Sequence, residues 1–213
     1  MAAETNARWL PVAVSADILS GTVIPASLPT GPLAVWRSAS GRLNATKDRC
    51  PHRGMRLSHG FVRGETLSCI YHGWRFGADG ACRKIPAHPA LVPPRTISCG
   101  PLPVAECNGT VWAAAKRPDH EPVAYDGYMA LRSVVIAASC AAVETACQGA
   151  RAHGASKTRL GGHDTLLVMN GYAPNAVLVI VLVAETMPVA GRLAISTALE
   201  ALRRTVETWG RAA

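Results

Sequence analysis

Apolar residues fall in two patterns along the chain. Up to about residue 125 they come as short bursts set between glycines and prolines: Leu10 to Val14, Leu33 to Trp36, Leu67 to Ile70 and Thr110 to Ala114. Bursts this short, bounded by turn residues, predict short strands of an antiparallel β domain. Pro86, Pro89, Pro93, Pro94, Pro101 and Pro103 keep the stretch between them extended or looping, because proline lacks an N–H and restricts the residue before it. Beyond residue 127 the chain turns rich in alanine. Val134 to Ala152 fits a helix with Cys140, Ala141, Glu144 and Cys147 at helical offsets, although the Val and Ile at its start also fit a strand. Leu166 to Val183, broken by Gly171 and Pro174, predicts two strands and a turn. Ile195 to Trp209 puts Leu199, Leu202 and Val206 on one face and Arg203, Arg204 and Glu207 on the other, the mark of an amphipathic helix. The expected architecture is a mainly β N-terminal domain of small antiparallel sheets over 1–118, a linker over 119–127 and a short α+β region over 128–213.

Composition narrows the class. With 213 residues, 49% of them apolar, and a mean hydropathy of +0.15, the chain has enough apolar surface to build a core, which excludes a disordered polymer. Its longest apolar run, Ala176 to Ala184, falls well short of the roughly 18 residues a membrane helix needs. The first twenty residues carry Glu4, Arg8 and Asp17 and lack a stretch of signal-peptide type, so neither secretion nor a membrane is expected. Seven unevenly spread cysteines argue against a disulfide framework and for a reducing, cytoplasmic setting in which thiols can hold metal. The formal charge of +8 is dispersed over 22 basic residues without a run or an RNA-binding aromatic signature, so no nucleic-acid partner is expected.

One constellation carries chemistry. Cys50-Pro51-His52 is followed, after sixteen residues, by Cys69-Ile70-Tyr71-His72. Each half offers a soft thiolate and an imidazole at a spacing that lets a tight turn aim both at one place. Gly54 and Gly73 follow the two histidines and allow backbone N–H groups to approach sulfur. Two chemistries use such donors. Zinc takes two Cys and two His tetrahedrally, but zinc fingers normally pair Cys with Cys and His with His. A Rieske [2Fe–2S] centre binds one iron through two Cys and the other through two His, which matches C-x-H…C-x2-H in order and type.

The match extends beyond the donors. Arg8-Trp9-Leu10-Pro11-Val12, Asp48 to Gly54, Cys69-Ile70-Tyr71-His72-Gly73-Trp74-Arg75-Phe76, Gly80 and Ile85-Pro86-Ala87 together resemble the N-terminal Rieske domain of ring-hydroxylating (Rieske non-haem iron) oxygenases. The resemblance covers roughly residues 5 to 118. It implies a [2Fe–2S] cluster held by Cys50, His52, Cys69 and His72, and electrons delivered by a ferredoxin or flavin reductase. It also implies a possible homo-oligomer, often a trimer. The high-potential respiratory type carries an extra bridging Cys in each ligand loop and a serine after the second His-Gly. Here those places hold Met55, Tyr71 and Trp74. Fewer hydrogen bonds to sulfur leave the reduced state less stabilised, so the expected potential lies near the low end of the Rieske span, about −150 mV.

The oxygenases resembled also hold a mononuclear iron with two His and a carboxylate. The segment similar to their ligand motif is Glu144 to Arg151, in a register that places Gln148 at the bridging Asp, Arg151 at the first His and Ser156 at the second. Arginine stays protonated and repels a ferrous ion, so no mononuclear Fe(II) is expected there. An alternative grouping is His153, His163 and Asp164, with the latter two in a loop after Gly161-Gly162. The expected function is therefore one-electron transfer by a low-potential Rieske iron–sulfur redox protein with a shortened, degenerate catalytic region. The alternatives are a terminal mono- or dioxygenase component with an unrecognised iron site, and a scaffold whose cluster is purely structural. Arg49, Arg53, Arg56, Arg63 and Arg75 flank the ligand loops and could steer an acidic donor. Cys82, Cys99, Cys107, Cys140 and Cys147 fit the role of small hydrophobes, His59 and His120 are expected in loops, and His88 is placed beside the site.

Overall fold

The computed structural model describes residues 7–152 and 154–209. Its elements in chain order are β1 (Leu10–Val14), β2 (Val23–Leu28), β3 (Gly31–Arg37), β4 (Leu43–Lys47), β5 (Phe61–Arg63), β6 (Thr66–Ser68), β7 (Arg75–Phe76), β8 (Cys82–Lys84), β9 (Pro101–Leu102), β10 (Val104–Cys107) and β11 (Thr110–Ala113). They continue with β12 (Tyr128–Ile136), α1 (Cys140–Cys147), β13 (Ala150–Ala152), β14 (Ala155–Leu160), β15 (His163–Ala173), β16 (Ala176–Ala184) and α2 (Val189–Trp209). The strands pair antiparallel throughout the sheets β2-β3-β4-β9, β5-β6-β7-β8 and β12-β16-β15-β14-β13. The expected class, small antiparallel sheets followed by an α+β region, is what the chain adopts.

Two compact units form. The first comprises the described residues up to Trp9, Ala16–Ala105 and Ala113–His120; the second comprises Leu10–Ser15, Glu106–Trp112 and the chain from Glu121 on. In the first unit, sheets β2-β3-β4-β9 and β5-β6-β7-β8 contribute to a core of Trp36, Leu57, Leu67, Phe76 and Ile85, into which Cys50, Cys69, Cys82 and Cys99 also pack. Apolar side chains taken out of water stabilise by about 25 cal/mol per Å2, so the large, fully buried Trp36 and Phe76 anchor this small unit.

In the second unit, five strands run in the order β12-β16-β15-β14-β13. β16 is apolar throughout and buried on both faces. Val177, Val179, Val181 and Val183 share a cluster with Ile195, Leu199 and Val206 of α2 and Val143 of α1. β1 also packs on this sheet, against β12, β15 and β16. Arg132 of β12 donates to Ser196 Oγ at 2.7 Å and to Glu200 at 2.8 Å, tying α2 to the sheet edge.

Three expectations are corrected here. The proposed helix over Val134 to Ala152 shrinks to α1. The β-branched run Val134-Val135-Ile136 instead pairs with Val179, Leu178 and Val177 of β16, where branched side chains fit a pleated surface. α1 starts at Ser139, whose hydroxyl accepts the Ala142 N–H, and stops where Gln148 turns left-handed at φ 48°. The C-terminal helix begins at Val189, earlier than the amphipathic pattern showed. His163 and Asp164 open β15 rather than lying in a loop.

Candidate metal centre

Two loops with the same hydrogen-bond scheme carry the four predicted donors. The first follows β4: Cys50 N–H donates to the Met55 carbonyl at 2.8 Å, and Gly54 N–H to the Cys50 carbonyl at 2.9 Å. The second joins β6 to β7: Cys69 N–H donates to the Trp74 carbonyl at 2.9 Å, and Gly73 N–H to the Cys69 carbonyl at 3.0 Å. Each turn closes through a glycine at positive φ, 73° at Gly54 and 69° at Gly73, where an L side chain costs about 1–2 kcal/mol. Pro86 packs against Gly73, so the proline-rich segment begins on the second loop.

The loops meet tip to tip. Cys50 and Cys69 are both 2% exposed and hydrogen-bond to each other at the inner end. His52 and His72 lie exposed at the outer end with ring centroids 4.6 Å apart. Trp74 stacks flat on His52, centroids 4.4 Å apart and planes within 5°, while Tyr71 lies tilted against His72 at 3.9 Å. Burial pushes the Cys50 thiol up to about 11; hydrogen bonds from the backbone of His52 and Arg53 act against the rise, and Cys69 adds to it. Loss of water holds the His52 imidazole below its usual value, and His72 and Arg53 add to this.

This donor set fits a two-iron cluster. Two sulfurs converge inside and two ring nitrogens outside, with backbone N–H groups already aimed at sulfur. Among the described residues no three His, Cys, Asp or Glu side chains converge on one point; the two thiols pair at the inner end and the two imidazoles at the outer end. A buried, protonated thiol pair becomes thiolate readily only beside a metal cation, which replaces the lost hydration. Cys99 is pushed up to about 12 by burial and Cys82 is raised for the same reason, which suits both as neutral packing groups. All seven cysteines are thiols, none in a disulfide.

Sequence reasoning missed a clamp on the first loop. Asp48, two residues before Cys50 and only 4% exposed, accepts the Ser58 N–H and the Ser58 hydroxyl, both at 2.7 Å. It thereby ties residues 48 and 58 together around Cys50 and His52. The signal was available only as an acid in an otherwise basic stretch, Asp48 among Lys47, Arg49 and Arg53.

Other candidates do not join this site. His88 is exposed on its proline-rich segment, His59 ends a short 3-10 turn over Leu57–His59, and the His120 carbonyl accepts the Trp9 indole N–H at 2.6 Å. In the second unit, Glu144 sits on α1, Gln148 caps it, and Arg151 of β13 is paired in register with Ser156 of β14. His163 and Asp164 are neighbours on β15 and so point to opposite sides of the strand. Asp164 faces Arg159 at 3.4 Å. His153 lies outside the described residues. Among the described residues, no helix is long and apolar enough to cross a membrane.

The family model for the Rieske [2Fe–2S] domain matches residues 8–127. The chain is 38% identical over 117 residues to oxidoreductase NdmD of Pseudomonas putida, which is 54% of this chain and 20% of that protein. It is 38% identical over 104 residues to chlorophyllide a oxygenase of Chlamydomonas reinhardtii, 49% of this chain and 16% of that one. The matched stretch thus spans about a fifth of these relatives. Among solved structures, apo dicamba monooxygenase superposes with a TM-score of 0.77 over 97% of this chain and 87% of its own, at 16% identity. Pseudomonas putida NdmA gives 0.71 over 93% and 80%, at 18% identity. The fold likeness runs through the second unit as well as the first. With the family model covering more than half its length, the chain belongs to the Rieske [2Fe–2S] domain family and is related to the Rieske oxygenases.

Proposed function

We propose that the protein is a one-electron carrier of Rieske-oxygenase descent, with Cys50 and Cys69 as the ligands of the inner iron and His52 and His72 as those of the outer one. The observation that carries this reading is the arrangement of the donors: a buried thiol pair and an exposed imidazole pair on two loops of identical hydrogen bonding. When bound, a [2Fe–2S] cluster supplies storage and release of a single electron at a potential set by its surroundings. The chain's own residues do the rest. Trp36, Leu57, Leu67 and Phe76 keep water from the inner end, the loop amides face sulfur, and Trp74 fixes the plane of the His52 ring. With Met55 and Tyr71 where the respiratory type has its bridging cysteines, the potential belongs near the low end of the span, about −150 mV. A ferredoxin or flavin reductase is the donor in this reading.

The test is chemical analysis of protein made anaerobically with ample iron. The expected result is two irons and two acid-labile sulfides per chain, a Rieske-type EPR signal on reduction, and loss of the chromophore in Cys50→Ser and Cys69→Ser. Zinc in place of iron, or a colourless protein, would overturn it. A second reading, a terminal oxygenase component, draws on the fold likeness through the second unit. It requires a third iron per chain and substrate-dependent O2 uptake.

A further inference from the structure

The first unit carries a groove of about 570 Å3 whose walls include none of the four donors. Residues far apart in sequence build it: Pro32 at the start of β3, Lys47 to Arg49 at the end of β4, Arg56, Leu102 of β9, and Lys116. Its volume falls in the range of about 300–1,000 Å3 typical of small-molecule sites. The occupant it fits is therefore a small molecule and not a folded partner.

The walls are of two kinds. Lys47, Arg49, Arg56 and Lys116 supply four exposed cations, and among the described residues none of them has a carboxylate at ion-pair distance. The single acid on the wall, Asp48, is buried and spent on Ser58. Two of the cations are propped by glycines. Nε, Cζ and Nη2 of Arg49 lie 3.3–3.5 Å from where a Cβ on Gly54 would stand, so the guanidinium rests flat on that backbone. The stem of Lys47 lies against Gly100 in the same way, with Cδ at 3.0 Å. The rest of the wall is apolar: Pro32, Leu102 and Ala115.

This pairing of walls selects a ligand class. Four like charges around one groove repel each other, and one carboxylate would answer only one of them. A chain of phosphates answers several. Guanidinium forks match phosphate oxygens two at a time, and ammonium groups serve as point charges. We infer that the groove is a binding site for a nucleoside di- or triphosphate, with its phosphates on Lys47, Arg49, Arg56 and Lys116 and its base against Pro32, Leu102 and Ala115. Binding is reversible, with no bond made or broken. The site is built within one unit and does not rest on the cluster reading.

The test is titration calorimetry of the loaded protein at low ionic strength in magnesium-free buffer, with ATP, inorganic triphosphate, adenosine and citrate as probes. The variants are Arg56→Gln/Lys116→Gln and a control with the same charge change on the second unit, Lys157→Gln/Arg204→Gln; equal thermal melting by circular dichroism shows that both fold. One ATP per chain is expected, with inorganic triphosphate binding more weakly, citrate at least about tenfold more weakly and adenosine not measurably. The groove variant should lose at least about tenfold in ATP affinity, because it removes two charge-assisted contacts, and the control should bind as wild type. No ATP binding, an unchanged groove variant or an equal loss in the control would overturn the inference. Citrate binding as tightly as ATP would overturn the phosphate assignment, and inorganic triphosphate doing so would overturn the placing of the base. A protein that binds ATP in this way but never acquires a chromophore refutes the cluster reading and leaves this one standing.

Discussion

Replacing Asp48 with alanine tests whether the clamp, and not the core alone, holds the first ligand loop in shape. The carboxylate accepts two hydrogen bonds from Ser58, each 2.7 Å long and screened from water. Bonds to a charged group contribute about 1.5–3 kcal/mol each, so the gross loss is about 3–6 kcal/mol. Burying the carboxylate itself costs energy that the alanine variant partly recovers, which brings the expected net loss to about 3 kcal/mol. For a unit of this size that is a fall in Tm of roughly 12 °C or more. The assay is anaerobic urea unfolding of the loaded protein, followed by far-UV circular dichroism and visible absorbance together. Ser58→Ala removes one of the two bonds, and the double variant completes a cycle whose coupling should reach about 1–2 kcal/mol. The reasoning is refuted if Asp48→Ala costs less than about 1 kcal/mol, the size of an ordinary substitution, or if the two single effects add.

Two further outcomes are expected. Gly73→Ala places a methyl at φ 69° and 3.0 Å from Pro86 Cγ, so it should destabilise by more than Gly64→Ala, which bears a similar backbone cost of about 1–2 kcal/mol with no neighbour within 4 Å; equal urea midpoints would remove the role given to the Pro86 contact. Burial, with Glu144 adding, pushes the Cys147 thiol up to about 11 from the usual 9.0. Because the folded state holds that proton more tightly, its contribution to stability is present below pH 9.0 and is lost as pH rises through 11. At pH 8 the thiolate fraction is roughly a hundredth that of an ordinary cysteine, so iodoacetamide should label Cys147 far more slowly than free cysteine, by mass spectrometry, with the gap closing above pH 11.

Short-range chemistry made much of this protein legible from residue order alone. A thiol and an imidazole two or three positions apart, followed by glycine, can serve only a tight turn that aims both at one place, so the loops at 50–54 and 69–73 were readable locally. The same holds for α2, whose apolar period of 3.6 residues is written within one segment. Val134 to Ile136 was ambiguous because β-branched residues suit either element until a partner strand is present, and β16 supplies it. The pairing of Arg151 with Ser156, the burial of Asp48 against Ser58, and the placing of Lys47 and Lys116 on one groove wall each join positions that only folding brings together. Side-chain identity decided what each donor could bind. Burial and long-range contact decided which acids are consumed inside the protein and which cations remain at its surface.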